Sequence, residues 1–437
     1  MDGTIALTII GRIIQAGGGV SSLFFIAFFL TKDEQGYYYT FTSILAINVF
    51  FELGLSGIIT QYVAHEFAHL KMKDNGEVEG EAYYVSRLSS LLHFCIKWFG
   101  IISIALLFIL IAAGFYFFNT YHPNAAVEWQ TPWIILCIAT SLNLFIDPLL
   151  AYFDGLGQVK DMALVRLIQR VSFIVILFTC FALGFKLYSS AIASLLSILI
   201  NYVQIIFSRR RMILQQIWIA KSEWVINYLQ EIFPYQWRIA LSWISGYFIF
   251  QLFNPVLFAV EGPVVAGQMG MTLQALTGVS ALSMSWITTK VPLLSAYIAK
   301  KEYHELDNIF NLTVKQLAMI NLLLMAVLLS FVFGLNHFHI SLSNRFLPLL
   351  PTFLLSLVTF VNQYIFSWAT YLRCHKQEPF LINSIVGGIL CALSTIVLGK
   401  YYGLTGVVYG YSFITVVIAL PWSFMIFTNK RALWHSN

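Results

Sequence analysis

The sequence predicts an all-α polytopic membrane protein of about twelve transmembrane helices, arranged as two six-helix lobes related by a parallel repeat. Three observations lead there. Apolar residues make up 59% of the 437 positions and charged ones only 10%, against about 25% charged in soluble domains. The apolar residues gather into runs of roughly 20, the length that crosses a bilayer as a helix. Finally, the basic residues alternate in density from one connection to the next, as they do when cytoplasmic loops retain Lys and Arg.

The apolar runs place spans at 4–30, 37–63, 98–118, 132–153, 167–185, 188–207, 239–260, 266–289, 314–335, 346–370, 379–398 and 405–427. With both termini cytoplasmic, the inner connections hold about twenty Lys and Arg. The outer turns hold only Lys32, Lys186, Arg345 and Lys400. Dropping any one span would scramble this alternation, so the charge pattern supports the count as well as the orientation. The first apolar run lacks a basic n-region and a small-residue cleavage site, and reads as span one rather than a leader. Outer turns are short, which leaves no room for an outer domain. Two inner connections, 64–97 and 208–237, read as amphipathic. The second divides the chain into an N-terminal lobe (1–207), a linker (208–237) and a C-terminal lobe (238–437). Its Arg209-Arg210-Arg211 run and the aromatic Trp218–Trp237 segment suit an interfacial helix on the inner leaflet.

The halves look related. The stretch Gly36–Asn75 has a counterpart in Gly267–Asn308, each a span followed by a basic amphipathic segment, and 182–194 resembles 397–409. An even number of spans per half makes the repeats parallel, an arrangement that usually builds a transporter. Other classes are disfavoured. The net charge of +5 is too modest to point to nucleic acid. The five cysteines are odd in number and scattered, forming neither a disulfide framework nor a metal spacing. No phosphate-binding G-x-x-x-x-G-K-[ST] occurs. The chain therefore reads as a non-enzyme with no cofactor.

Gly11-Arg12-Ile13 in span one precedes a short acidic turn, Lys32-Asp33-Glu34-Gln35. Gly36-Tyr37-Tyr38-Tyr39 opens span two, and Glu52-Leu53-Gly54-Leu55 lies within it. Together with Gly403, Gly406 and Gly410 near span twelve, this pattern resembles the polysaccharide and O-antigen flippases of the multidrug/oligosaccharidyl-lipid/polysaccharide exporter superfamily. The likeness runs through the whole chain, with Glu52 in place of that family's usual Asp. It implies two helical bundles and alternating-access flipping of undecaprenyl-pyrophosphate-linked oligosaccharide across a bacterial inner membrane. It also implies a coupling ion, proton or sodium, and a polysaccharide polymerase as a candidate partner alongside the membrane lipids.

An ionisable side chain inside a span costs roughly 2.5–3.5 kcal/mol on insertion scales and is a functional candidate by default. Arg12 lies on the order of 12 Å into span one at 1.5 Å per residue, with Gln15 on the same face. Its guanidinium fork suits a pyrophosphate, and Arg238 and Lys290 flank the corresponding spans of the second half. Gln251 and Asn254, beside Pro255 in span seven, could bind sugar hydroxyls. Glu52, and Asp147 with Asn143 one turn before it, are the candidate ion-coupling acids. Simpler roles exist for each: Arg12 and Glu52 as a mutually neutralising pair, Arg166, Arg170, Arg238 and Lys290 as interfacial anchors, Asn254 as interhelical glue. Two rival readings stay open. One is a multidrug or cation exporter on the same fold. The other is an intramembrane zinc protease using His65, Glu66 and His69, a literal H-E-x-x-H, although this motif sits at the wet end of its span beside Lys71, Lys73 and Asp74.

Overall fold

The computed structural model describes residues 3–73, 78–122, 126–220, 223–375 and 377–435. Within α1, the side chains of residues 3–10, 12, 13, 15 and 16 lie outside the description, as does that of Tyr235. The chain is an all-α polytopic membrane protein. A helix falls on each of the twelve expected stretches. They are α1 (Gly3–Phe29), then one span built from α2 (Lys32–Leu45), α3 (Val49–Glu52) and α4 (Leu55–Phe67), then α5 (Ala82–Tyr121), α6 (Gln130–Gly155), α7 (Val159–Ala182) and α8 (Tyr188–Ile206). After the linker helix α9 (Arg209–Ile219) come α10 (Phe233–Phe250) with α11 (Phe253–Glu261), α12 (Pro263–Thr288), the short α13 (Val291–Lys300), α14 (Tyr303–His337), α15 (Leu349–Cys374), α16 (Leu381–Phe413) and α17 (Leu420–His435).

By length and composition, nine helical stretches of the described residues can cross a membrane. The last of them, Leu381–His435, is 55 residues long, or about 80 Å at 1.5 Å per residue, and therefore holds two spans. The reversal occurs at Gly403 (φ 55, ψ −138). An added Cβ there would meet the Glu261 carboxylate, which accepts a hydrogen bond from the Leu404 amide at 2.8 Å. Positive φ and the missing Cβ are both needed at this point.

Two features differ from the sequence expectation. The connection 64–97 is not one amphipathic helix. α4 ends at Phe67, and Leu70–Met72 (β1) pairs antiparallel with Val78–Gly80 (β2), with Lys71 opposite Glu79. α5 then starts at Ala82, well before the apolar run at 98. Its early turns carry Ser86, Ser89 and Ser90, which hydropathy reads as loop but which are buried against the linker.

The chain forms two compact units, and neither is a single contiguous stretch. The first comprises Met1–Gly18 and Ile44–Ile244, the second Gly19–Ser43 and Ser245–Asn437. In the first unit, helices approach closely where side chains are absent. A Cβ on Gly18 would collide with Ile174, one on Gly155 with Val63 and the Thr60 carbonyl, and one on Gly114 with Trp133. The indole Nε1 of Trp133 donates to the Leu110 carbonyl at 3.2 Å. Small residues at such crossings replace the hydrophobic drive that lipid cannot supply. In the second unit an apolar core gathers Ile287, Leu294, Phe310, Tyr371 and Phe427. The turn opening α2 is fastened by Gln35, whose Nε2 donates to the Gly267 carbonyl at 2.8 Å and whose Oε1 accepts from Arg345 at 3.2 Å.

The linker is bound to the first unit by charge and backbone bonds. Arg87 donates from Nε to Glu66 at 2.9 Å and from Nη2 to Glu231 at 2.5 Å. Tyr62 donates to the Glu231 carbonyl. The hydrogen bond from Arg87 holds the Glu231 carboxyl below its usual range, so this part of the stability is present at neutral pH and fades only as pH falls through that lowered value. Glu66 has a side chain only 4% exposed. Arg87→Ala is therefore expected to cost about 3–5 kcal/mol, because it strands a buried carboxylate. Adding Glu66→Gln should recover part of that loss. Denaturant titration of the purified variants checks both; a single variant as stable as the parent would contradict this role of the ion pair.

Candidate functional site: an acid and amide cluster

In lipid a polar side chain needs a partner, and the first unit supplies a chain of them. Asn201 on α8 donates from Nδ2 to Gln169 Oε1 on α7 at 2.8 Å. Gln169 donates from Nε2 to Asn143 Oδ1 on α6 at 3.3 Å. Asn143 donates from Nδ2 to Asp147 Oδ2, one turn along the same helix, at 2.6 Å. Three amides thus point their donors in one direction, and the relay ends on a carboxylate. Amides aligned in this way polarise each other, and the effect is largest where water is excluded. The Tyr202 hydroxyl donates to the Leu142 carbonyl at 2.9 Å, and its ring lies within electrostatic reach of Asp147.

Glu52 also lies within electrostatic reach of Asp147, as does Arg166. Ser56 lies one turn after Glu52, in the first turn of α4. The backbone turns immediately after Glu52: Leu53 has φ 51 and Gly54 φ 70, so α3 stops and α4 restarts. A left-handed conformation at a leucine costs roughly 1–2 kcal/mol, and here it lies next to the acid. Arg166 donates to Asp154 at 2.6 Å. One guanidinium therefore faces two carboxyl groups, Asp154 directly and Asp147 at longer range, while Glu52 interacts with Asp147.

The other sequence candidates fall in different places. Arg12 and Gln15 stand on α1, and their side chains lie outside the described residues. The neighbouring Gly11 is buried, and a Cβ there would sit 3.2 Å from Nη1 of Arg170, so α1 crosses the basic face of α7 at this point. Arg238 is exposed, with its guanidinium 5.4 Å from the Trp237 ring centroid. Gln251, Asn254 and Lys290 belong to the second unit. Gln251 lies where α10 gives way to α11, and Asn254 donates to Ser43 Oγ at 3.0 Å, a helix-to-helix bond. Lys290 is exposed at the start of α13. The structure thus brings together Glu52 and Asp147 from the earlier candidates. It adds Gln169 and Asn201, whose only sequence signal is an amide within an apolar helix.

The H-E-x-x-H segment does different work from the zinc reading. Glu66 accepts from Arg87 and is not available as a general base. His69 stacks on Tyr84 at 4.1 Å between ring centroids. Among the described residues no group of three or more His, Cys, Asp or Glu could hold a metal ion.

No family model and no curated protein matches the sequence. Solved structures do match over the whole fold. The chain is similar to a multidrug resistance MATE family transporter of the MOP superfamily in an inward-facing conformation, with TM-score 0.68, 13% identity and 98% of each chain covered. It is similar to the MATE multidrug transporter DinF-BH, with TM-score 0.63, 15% identity, 99% of this chain and 96% of that one covered. It is also similar to the lipid II flippase MurJ, with TM-score 0.60, 15% identity, 98% of this chain and 90% of that one covered. The chain has the fold these transporters share.

Gln169→Leu removes the middle of the relay and leaves the Asn201 donor, which is buried, without its acceptor. The expected cost is about 1–3 kcal/mol for each polar group left unpaired, read as a lower thermal midpoint. Gln169→Glu, which keeps the acceptor toward Asn201, should retain more of it. Equal midpoints for Gln169→Leu and the parent would show that the relay does not carry stability.

Proposed function

We propose that this protein is an ion-coupled membrane transporter that moves a lipid-linked oligosaccharide between leaflets of a bacterial inner membrane by alternating access. The observation that carries the ion coupling is the relay ending on Asp147, with Glu52 close enough to interact with it. Two interacting carboxyl groups within membrane-spanning helices, one of them in reach of Arg166, form a site whose charge changes when a proton or sodium ion binds. The fold supports transport in general, since the solved structures it resembles are multidrug transporters and a lipid II flippase.

Support for an anionic, lipid-linked substrate comes from the motif likeness along the chain and from the basic residues around the α1–α7 crossing. Arg12 follows Gly11 there, and Arg170 lies against that glycine. Guanidinium groups bind phosphate oxygens bidentately. Arg238, Lys290, Gln251 and Asn254 remain proposed contacts for head group and sugar. The six-plus-six division around 208–237, cytoplasmic termini and a polymerase partner belong to the same proposal. Export of a drug or organic cation is the second reading, favoured by the two multidrug neighbours and by the surplus of acids over Arg166 in the cluster.

Cells lacking the protein separate the two. Flipping predicts lipid-linked repeat units accumulating on the inner leaflet while surface polysaccharide disappears, with no rescue by Arg12→Ala or Glu52→Gln despite normal membrane insertion. Unchanged glycan pools together with increased sensitivity to cationic dyes would overturn the flippase reading in favour of export. Normal rescue by both variants would remove those residues from the site.

A further inference from the structure

The linker that follows α8 is anchored through one side. Its inner side is fixed to the first turns of α5. Ser86 Oγ accepts from the Trp224 amide at 2.9 Å, Ser90 Oγ accepts from the Ile226 amide at 3.1 Å, and Ser89 Oγ donates to the Ala220 carbonyl at 3.2 Å. Trp218 stacks on His93 with 3.7 Å between ring centroids. Ile213 and Ile217, one turn apart on α9, are buried. The described parts of the linker on either side of residues 221–222 are therefore held against α5.

The linker also exposes apolar and basic side chains. Phe207 is 83% exposed, Ile219 79% and Leu229 69%. Arg209 and Arg211 project from the first turn of α9 and are exposed. Among the described residues neither has a carboxylate partner, unlike Arg87, Arg166, Arg373 and Arg431, which are all paired. Arg210 is turned back, donating to the Gln204 carbonyl. Position fixes the surroundings. α8, a helix long and apolar enough to cross a membrane, ends at Ile206 and α9 begins at Arg209, a gap that spans at most about 10 Å of extended chain. Exposed apolar side chains and unneutralised arginines at the boundary of a bilayer match the two layers of a leaflet, acyl chain edge and phosphate.

We propose that the exposed side chains of this linker form a binding surface for anionic phospholipid, with Arg209 and Arg211, on opposite flanks of α9, reaching phosphates and Phe207 and Ile219 in the adjoining apolar layer. This does not depend on what the protein transports. The surface selects lipid by charge, because a zwitterionic headgroup offsets the attraction of its own phosphate.

The test is thermal unfolding of the full chain in neutral detergent with added phosphatidylglycerol or phosphatidylcholine at equal mole ratio. Phosphatidylglycerol should raise the midpoint by several degrees more than phosphatidylcholine, and high salt should remove most of the difference. Arg209→Gln/Arg211→Gln should lose at least half of the difference and keep the parent midpoint without lipid, because both side chains are exposed and unpaired. Phe207→Ser/Ile219→Ser should reduce it as well, whereas Lys400→Gln should not. Inorganic phosphate alone should give no shift. An undiminished lipid effect in the double arginine variant overturns the proposal. So does a shift reproduced by inorganic phosphate, or one produced by an acidic peptide and not by phosphatidylglycerol.

Discussion

Lipid offers no hydrogen bonds, so every backbone amide at membrane depth must find its partner inside the chain. That constraint makes the protein almost wholly helical. It also gives meaning to the places where a helix breaks or the chain reverses. The turn at Leu53-Gly54 comes immediately after Glu52. The interruption between α10 and α11 comes at Gln251, three residues before Asn254, which is bonded to Ser43. At Gly403, the Glu261 carboxylate receives the Leu404 amide that the reversal would otherwise strand. Each break is accompanied by a side chain that can hydrogen-bond, as expected if irregular backbone is tolerated only where the protein supplies polar partners.

The same constraint explains the amide relay. Isolated in hydrocarbon, Asn143, Gln169 and Asn201 would each be a liability. Linked donor to acceptor, they meet much of one another's hydrogen-bonding need and present an ordered dipole to Asp147. Stability and chemistry therefore share these residues. The relay makes a carboxyl group tolerable at depth, and Glu52 and Arg166 make its charge state responsive to its neighbours. A greasy helix pair would be more stable and could not respond.

Hydropathy and the distribution of Lys and Arg made the spans legible, because lipid imposes both patterns directly on composition. Asp147 and Asn143 were legible for a related reason: four residues on a helix is one turn, and charge at depth is rare. Gln169 and Asn201 were not singled out, since their importance lies in contacts between helices that no spacing along the chain encodes. The early start of α5 was hidden by Arg87 and its serines, which face the linker rather than water. The pairing of Leu70–Met72 with Val78–Gly80 was hidden because basic and polar residues after a span suit an amphipathic helix equally well. Glu66 reads as half of a metal motif until Arg87 is seen beside it. The second compact unit takes in the stretch Gly19–Ser43, and no change in composition marks either end of it.

The central claim is that ion binding at the Asp147 cluster is coupled to movement of substrate. It is tested most directly in proteoliposomes, by following translocation of a lipid-linked oligosaccharide with and without an imposed proton or sodium gradient. The account predicts that one of these gradients accelerates translocation by the parent protein, and that Asp147→Asn translocates at a rate independent of it. Equal acceleration of parent and Asp147→Asn would contradict the account.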